Sequence, residues 1–348
     1  MQINEEIYNL GTRETLDQFI NGNIIEKIVL SFSTPFYGTR WKIFEERHLV
    51  PNIRNYFDVI YNKVVNIINR NKSQHYYKIN INNEDFRNIV CFFLNANIIV
   101  DLWLINNLSE NEIEVDGNYS ATRDNKINND KLETCAITIN IKTDRSHLEQ
   151  LLASIVYHEF THAYEDYQSM LKTNGEKSLY KHGELSMYGR NKFQGQIEKP
   201  ISDYLSFIFY AISKIEQNSF IAQGIKEINN YKKVHNTAYK TEQPIDIIEK
   251  LPSFRNYLNV IGYVNKLSEY AVDRKTQDKI LNIVNFNNGA MKNMDVNGNI
   301  KTYCFNNFRQ LIKFILKRND FLMRRYVSAV EKELLINKIR EQSTIYIH

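Results

Sequence analysis

Two periods of apolar residues organise the middle of the chain. Between residues 76 and 141 apolar and polar positions alternate, and from residue 146 onward apolar positions recur every three to four. These are the periods of a strand and of a helix. Residues 76–81 (YYKINI) predict a strand, and the polar cluster Asn82-Asn83-Glu84-Asp85 predicts a turn. Residues 89–94 and 98–105 predict two strands joined by a hairpin turn at Asn95-Ala96-Asn97. Residues 113–121 and 134–142 predict two more, separated by a polar loop rich in Asn and Lys. Upstream, residues 41–70 read as helical after turn signals at Pro35 and Gly38, with Pro51 starting a new helix. Downstream, residues 201–225, a stretch opened by Pro252, residues 267–283 and residues 308–340 predict helices, with a loop at 286–298. The last helix carries Arg309, Lys313, Lys317, Arg318, Arg324 and Arg325, which read as a solvated basic face. The fold class is therefore α+β. An N-terminal α/β subdomain spans 1–172 and a mostly helical C-terminal subdomain spans 201–348. Between them, residues 173–200 hold Gly175, Gly183, Gly189 and Gly195 and read as a surface connection or a lid.

The chemistry concentrates in residues 146–171, SHLEQLLASIVYHEFTHAYEDYQSML. Ser146 and Glu149 suggest a capping box, and no Gly or Pro interrupts the run. Leu148, Leu151, Leu152 and Ile155 form a stripe that His158, Glu159 and His162 continue. His158-Glu159-Phe160-Thr161-His162 is an H-E-x-x-H pattern. Residues four apart lie on one helix face, about 6 Å apart along the axis, so two imidazoles can share one tetrahedral zinc ion. Glu159, one position along, reaches the open side of such a site, where zinc lowers the pKa of water towards ~7 and a carboxylate can take its proton. Two inward histidines flanking a glutamate are costly to bury without a metal or several partners.

The run from His158 to Tyr167 resembles the active-site helix of thermolysin-like zinc metallopeptidases, the gluzincins of the zincin fold. The resemblance covers this helix and its surroundings. It implies a zincin-like fold, a zinc cofactor and hydrolysis of peptide bonds, with His158 and His162 as ligands and Glu159 as general base. The metzincin variant would need a glycine at position 165 and a histidine at 168, and is excluded by Glu165 and Gln168. The other common third ligand is a glutamate on a later helix, and Glu216 is the leading candidate. It falls within the apolar stripe Leu205, Ile208, Phe209, Ile212, Ile215 and Ser219, where a carboxylate needs a cation or donors, unless it snorkels to water from the stripe's edge. The family pattern has an Asn before this glutamate and an Asp four residues after it; this chain has Ile215 and Phe220. Glu184 and Glu198 in the Gly-rich connection, and Glu269 heading a different helix, are the alternatives. Asp166 matches an acidic position of the family helix, and either holds His162 by a hydrogen bond or is a solvated acid. Tyr231, His235 and Tyr239 recur at four-residue spacing, and His235 or Tyr239 could donate to the oxyanion of the reaction. In the zincin fold a strand beside this helix can pair with an extended substrate.

Composition adjusts this picture little. The 348 residues are 43% hydrophobic and 24% charged, as in an ordinary globular protein, and a net charge of +4 does not point to nucleic acid. The opening MQINEEIYNL lacks a basic-then-apolar start, so the expectation is a cytoplasmic protein without a signal peptide. The most apolar run, 89–105, is broken by Asn95, Asn97 and Asp101, so no membrane span is expected. Cys91, Cys135 and Cys304 read as free thiols. Asn, Ile, Lys and Tyr are abundant, and their AT-rich codons point to a low-GC bacterium or its bacteriophage. The partner expected first is a peptide or protein substrate. The second expectation is a phage virion or assembly protein, located in the virion among other subunits, with zinc as a structural staple or an activity confined to one partner.

Overall fold

In the computed structural model, which describes residues 49–345 apart from 107, 110–111, 121–125, 173–192, 194, 291–292, 295–299 and 302–304, the alternating stretch 76–81 is strand β1 (Tyr76–Ile81). Tyr77, Ile79 and Ile81 point inward and the residues between them outward. A helix, α1 (Leu49–Arg70), precedes it, and a single turn of 3₁₀ helix, Asn83–Phe86, follows with Asn82 as its cap. Next come β2 (Phe93–Leu104), β3 (Glu114–Ser120), β4 (Ile127–Asn128), β5 (Lys131–Thr143) and helix α2 (Leu148–Lys172). The β4–β5 turn places Asn129 and Asp130 at φ of 49° and 57°, the pair of left-handed residues that a tight hairpin of matching twist needs.

The sheet runs β1-β2-β5-β3, with β4 pairing the start of β5. The central pair β2 and β5 is parallel, Val100 opposite Ile139; β1 and β3 flank it antiparallel, Ile79 opposite Val100 and Gly117 opposite Ile139. The sheet is thus mixed. Two strands expected on either side of a hairpin at Asn95-Ala96-Asn97 are instead one strand, β2, and those three residues pair with Thr134, Cys135 and Ala136. The reason lies in the preceding turn. Asn83 hydrogen-bonds the carbonyl of Leu94 and accepts from the Ala96 N–H at 2.5 Å, so a side chain extends the pairing where β1 has ended. Asn95 and Asn97 then point outward, as alternation allows.

Helices α1 and α2 share a core with this sheet. Ile53, Tyr56, Phe57, Ile60, Val64 and Ile68 of α1 are buried with Leu148, Leu152, Val156 and Phe160 of α2. Tyr56 stacks on Phe160 with ring centroids 4.8 Å apart, and its hydroxyl bridges the Phe92 N–H and the Val90 carbonyl. Asp144 caps the start of helix α2. Asp144 Oδ1 accepts from the N–H groups of Ser146 (2.8 Å) and His147 (3.1 Å), and the Ser146 hydroxyl donates to the same oxygen. Ser146 is therefore engaged with Asp144, two residues before it.

The remaining elements are α3 (Lys199–Ala211), α4 (Lys214–Val234), α5 (Asn236–Thr241), α6 (Pro244–Glu249), α7 (Pro252–Tyr270), α8 (Arg274–Ala290), the short pair β6 (Asn293–Met294) and β7 (Ile300–Lys301), and α9 (Phe308–Ile345). Proline sits at the first helical positions of α3, α6 and α7, where its missing N–H costs nothing. The single helix expected over 201–225 is two, α3 and α4, separated at Ile212-Ser213. Arg318 of α9 donates to the Ile212 carbonyl at 3.3 Å, satisfying an acceptor that the end of α3 exposes. The helix expected over 267–283 is likewise divided: α7 ends at Tyr270 and α8 begins at Arg274. Of the loop expected over 286–298, residues 286–290 belong to α8 and Asn293–Met294 form β6, and the rest lie outside the described residues. The basic residues of α9 do not form one solvated face. Besides Arg318, Arg324 pairs with Asp320 at 3.0 Å, and Arg325 donates to Gln217 and Asn218 of α4.

Two compact units result. One contains the described residues up to Lys172 together with Ile225–Asn230, the fourth and fifth turns of α4; the other contains the described residues from 193 to Gly224 and from Tyr231 onward. Within the first, Ser154 donates to Glu227 at 3.2 Å, and the Lys226 ammonium lies over the rings of Phe57 and Tyr157. Among the described residues no helix is long and apolar enough to cross a membrane, and Cys91 and Cys135 are free thiols; Cys304 lies outside them.

The cap of α2 has a pH signature. The Ser146 hydroxyl, opposed by slight desolvation and aided by the His147 N–H, lowers the Asp144 carboxyl to about 2. The folded value lies below the unfolded one, so the stabilisation is complete above about pH 4 and disappears as pH falls towards about 2. Asp144→Asn should lower the urea midpoint at pH 7, with the gap from wild type closing between about pH 4 and 2. A gap of constant size over that range would count against this cap.

Candidate metal centre

Helix α2 has no water-facing side over its middle: every residue from Leu152 to Ala163 is buried. The stripe read from the sequence is thus part of a helix enclosed all round. His158, Glu159 and His162 are 3%, 3% and 4% exposed, so whatever satisfies them must come from the protein or a bound group. Thr161, also buried, turns its hydroxyl back to the Tyr157 carbonyl at 2.6 Å.

One helical turn brings the two imidazoles together edge to face, with His158 Nε2 and His162 Nε2 3.1 Å apart. Two nitrogens each about 2.0–2.1 Å from one tetrahedral ion stand roughly 3.3–3.4 Å apart, so the spacing suits a shared cation. Glu216 lies in the first turn of α4, where the helix dipole favours a carboxylate, and it too is 3% exposed. One ligand atom each from His158, His162 and Glu216 all lie within 4.8 Å of one another. This buried group of two imidazoles and a carboxylate could hold a metal ion. The donor set, two borderline nitrogens and one hard oxygen, suits a first-row divalent ion.

The other glutamates considered for the third position are elsewhere. Glu198 is exposed and pairs with Lys279 at 3.2 Å. Glu269 is exposed in the last turn of α7, and does not head a helix. Glu184 lies outside the described residues. His235 is an exposed cap between α4 and α5, its ring against Tyr231 at 4.8 Å. Tyr239 is fully buried in α5, with the Lys232 ammonium over its ring.

Asp166 is not a solvated acid. It is fully buried and accepts a hydrogen bond from the Tyr119 hydroxyl at 2.9 Å. Tyr119 comes from β3, as does Gly117, at whose Cα a side chain would run into the Glu159 carboxylate. Neither residue is singled out by the sequence reading. The available signal was an isolated glycine inside a strand, which marks a close approach of backbone to something else. Near Glu216, Tyr257 of α7 is fully buried. Burial raises its hydroxyl pKa, with Arg325 lowering it and the Glu216 charge raising it further. Its hydroxyl has no hydrogen-bond partner among the described residues.

Two outcomes are expected. Purified protein should carry about one divalent ion per chain by elemental analysis, and His162→Ala should lose it; stoichiometric metal in that variant would refute the ligand set. Tyr119→Phe, which removes one donor from a buried carboxylate, should cost about 1–3 kcal/mol in urea unfolding while the metal content stays unchanged. No family model matches the chain, and no curated protein or solved structure matches it either.

Proposed function

We propose that this protein is a zinc metallopeptidase on a zincin-like fold, with His158, His162 and Glu216 holding the ion and Glu159 acting as general base. The observation that carries the reading is the buried group of ligand atoms from H-E-x-x-H and Glu216, all within 4.8 Å of one another. Its protein ligands number three, as in catalytic zinc sites that leave a fourth position open. A zinc ion so held supplies Lewis acidity, making water acidic and a carbonyl electrophilic near neutral pH.

The protein's own groups do the rest. Glu159 takes the proton of the attacking water and delivers it to the leaving amine, so the carboxylate is regenerated at the end of the cycle. Its burial keeps bulk water from competing for that proton. His158 and His162 are fixed by the enclosed helix, so the ligand geometry is set before substrate arrives. Strand β3 supports a peptide substrate: it pairs with β5 on one side, and its other side carries no strand among the described residues. An extended segment adding to that edge would make main-chain hydrogen bonds beside α2.

The test is hydrolysis of unfolded protein and of a synthetic peptide panel by zinc-loaded protein. Activity should vanish on chelation and return with zinc. Glu159→Gln should retain zinc and lose about 10²–10⁴-fold in kcat. An inert zinc-loaded wild type, or full activity in Glu159→Gln, would overturn the proposal.

A further inference from the structure

We infer that Gly117 is a positioning residue for Glu159: its missing side chain is the slot in which the base's carboxylate sits. The inference rests on the peptidase reading for its catalytic consequence, but its geometry stands separately. A Cβ on Gly117 would lie 2.8 Å from Glu159 Cδ and 2.7 Å from Ile155 Cδ1, and nearer still to Glu159 Oε1. All three distances are shorter than real Cβ contacts allow.

Backbone conformation does not account for this glycine. Gly117 lies within the regular antiparallel register of β3, opposite Ile139, and is not among the residues of positive φ. Any residue could adopt its conformation, and glycine in a strand interior is a liability to stability. What glycine provides here is room. The side-chain alternation of β3 fits: Gly117 and Tyr119 fall on the same face, and Tyr119 reaches Asp166 of α2. The strand therefore meets the helix at Glu159 and again at Asp166, one contact on each side of His162.

A methyl group at position 117 would force the Glu159 carboxyl to retreat by about 1 Å to reach an ordinary contact distance, a displacement that can cost 10²-fold in rate. The ligands need not move, because His158 and His162 are held by the helix.

The test uses the full chain, zinc-loaded. Gly117→Ala should lower kcat on the order of 10²-fold, with KM within about threefold of wild type and zinc content unchanged. A raised KM with kcat intact would assign Gly117 to substrate pairing, and loss of zinc would assign it to the ligands; either overturns the inference. A second arm needs no activity. Gly117→Ala should lower the urea midpoint in the wild-type background and leave it unchanged or raised in Glu159→Ala/Ile155→Val, where the obstructing atoms are gone. An equal loss in both backgrounds removes the slot. Should Gly117→Ala alone fail to fold, a folded triple variant supports the slot and an unfolded one refutes it. If wild type proves inert while the cycle shows coupling, the peptidase reading fails and the steric assignment stands.

Discussion

Desolvation of α2 is the constraint from which the rest follows. A helix closed to water from Leu152 to Ala163 would ordinarily be apolar throughout, yet it carries His158, Glu159, Thr161 and His162. Stripping water from a carboxylate or an imidazole without compensation costs several kcal/mol per group. Each buried polar side chain whose partner is known meets that cost locally: Thr161 through its own helix, Ser154 with Glu227, Asp166 with Tyr119. The two imidazoles turn their Nε2 atoms towards one another at hydrogen-bond distance, a spacing that also suits a shared cation. Glu216 belongs to the same logic, a carboxylate placed at the positive end of a helix dipole.

The sheet serves that helix through one of its edge strands, β3. β3 has few apolar residues to bury, being EVDGNYS, and its contribution is made by two positions on one face. Tyr119 supplies a donor to a fully buried carboxylate, and Gly117 supplies a space. The polar residues Glu114, Asn118 and Ser120 of the same strand are exposed, while Gly117 and Tyr119 meet the helix.

How much of this was legible depended on the distance over which each decision is made. The strand at residues 76–81 and the helix through His158 were written in local periodicity, and both are present. A glutamate on a later helix was expected from the family resemblance, and an apolar stripe picked out Glu216, although that stripe crosses a break between α3 and α4. Nothing local marks the break: Ile212-Ser213 contains no Gly or Pro, and the exposed carbonyl is capped by Arg318, 106 residues later. The hairpin expected at Asn95-Ala96-Asn97 failed for a similar reason, since those residues pair with β5, some forty positions later, and Asn83 covers the Ala96 N–H. At the start of α2 the sequence offered Ser146 as the cap, but the N–H groups of Ser146 and His147 go to Asp144, two residues before Ser146. Gly117 and Tyr119 could not be valued without knowing which helix lay beneath them.

The path of the chain through the first unit bears on any attempt to isolate the piece that carries both histidines. A fragment ending at Lys172 would omit Ile225–Asn230, and with it the carboxylate that receives Ser154 and the ammonium that covers Phe57 and Tyr157. Ser154 would then be interred without its acceptor, and the two rings would lose their cation. Excision in one cut is therefore the wrong dissection for this molecule. The histidine-bearing half becomes whole only when a ribbon from far downstream is supplied, either on the same chain or as a separately added peptide.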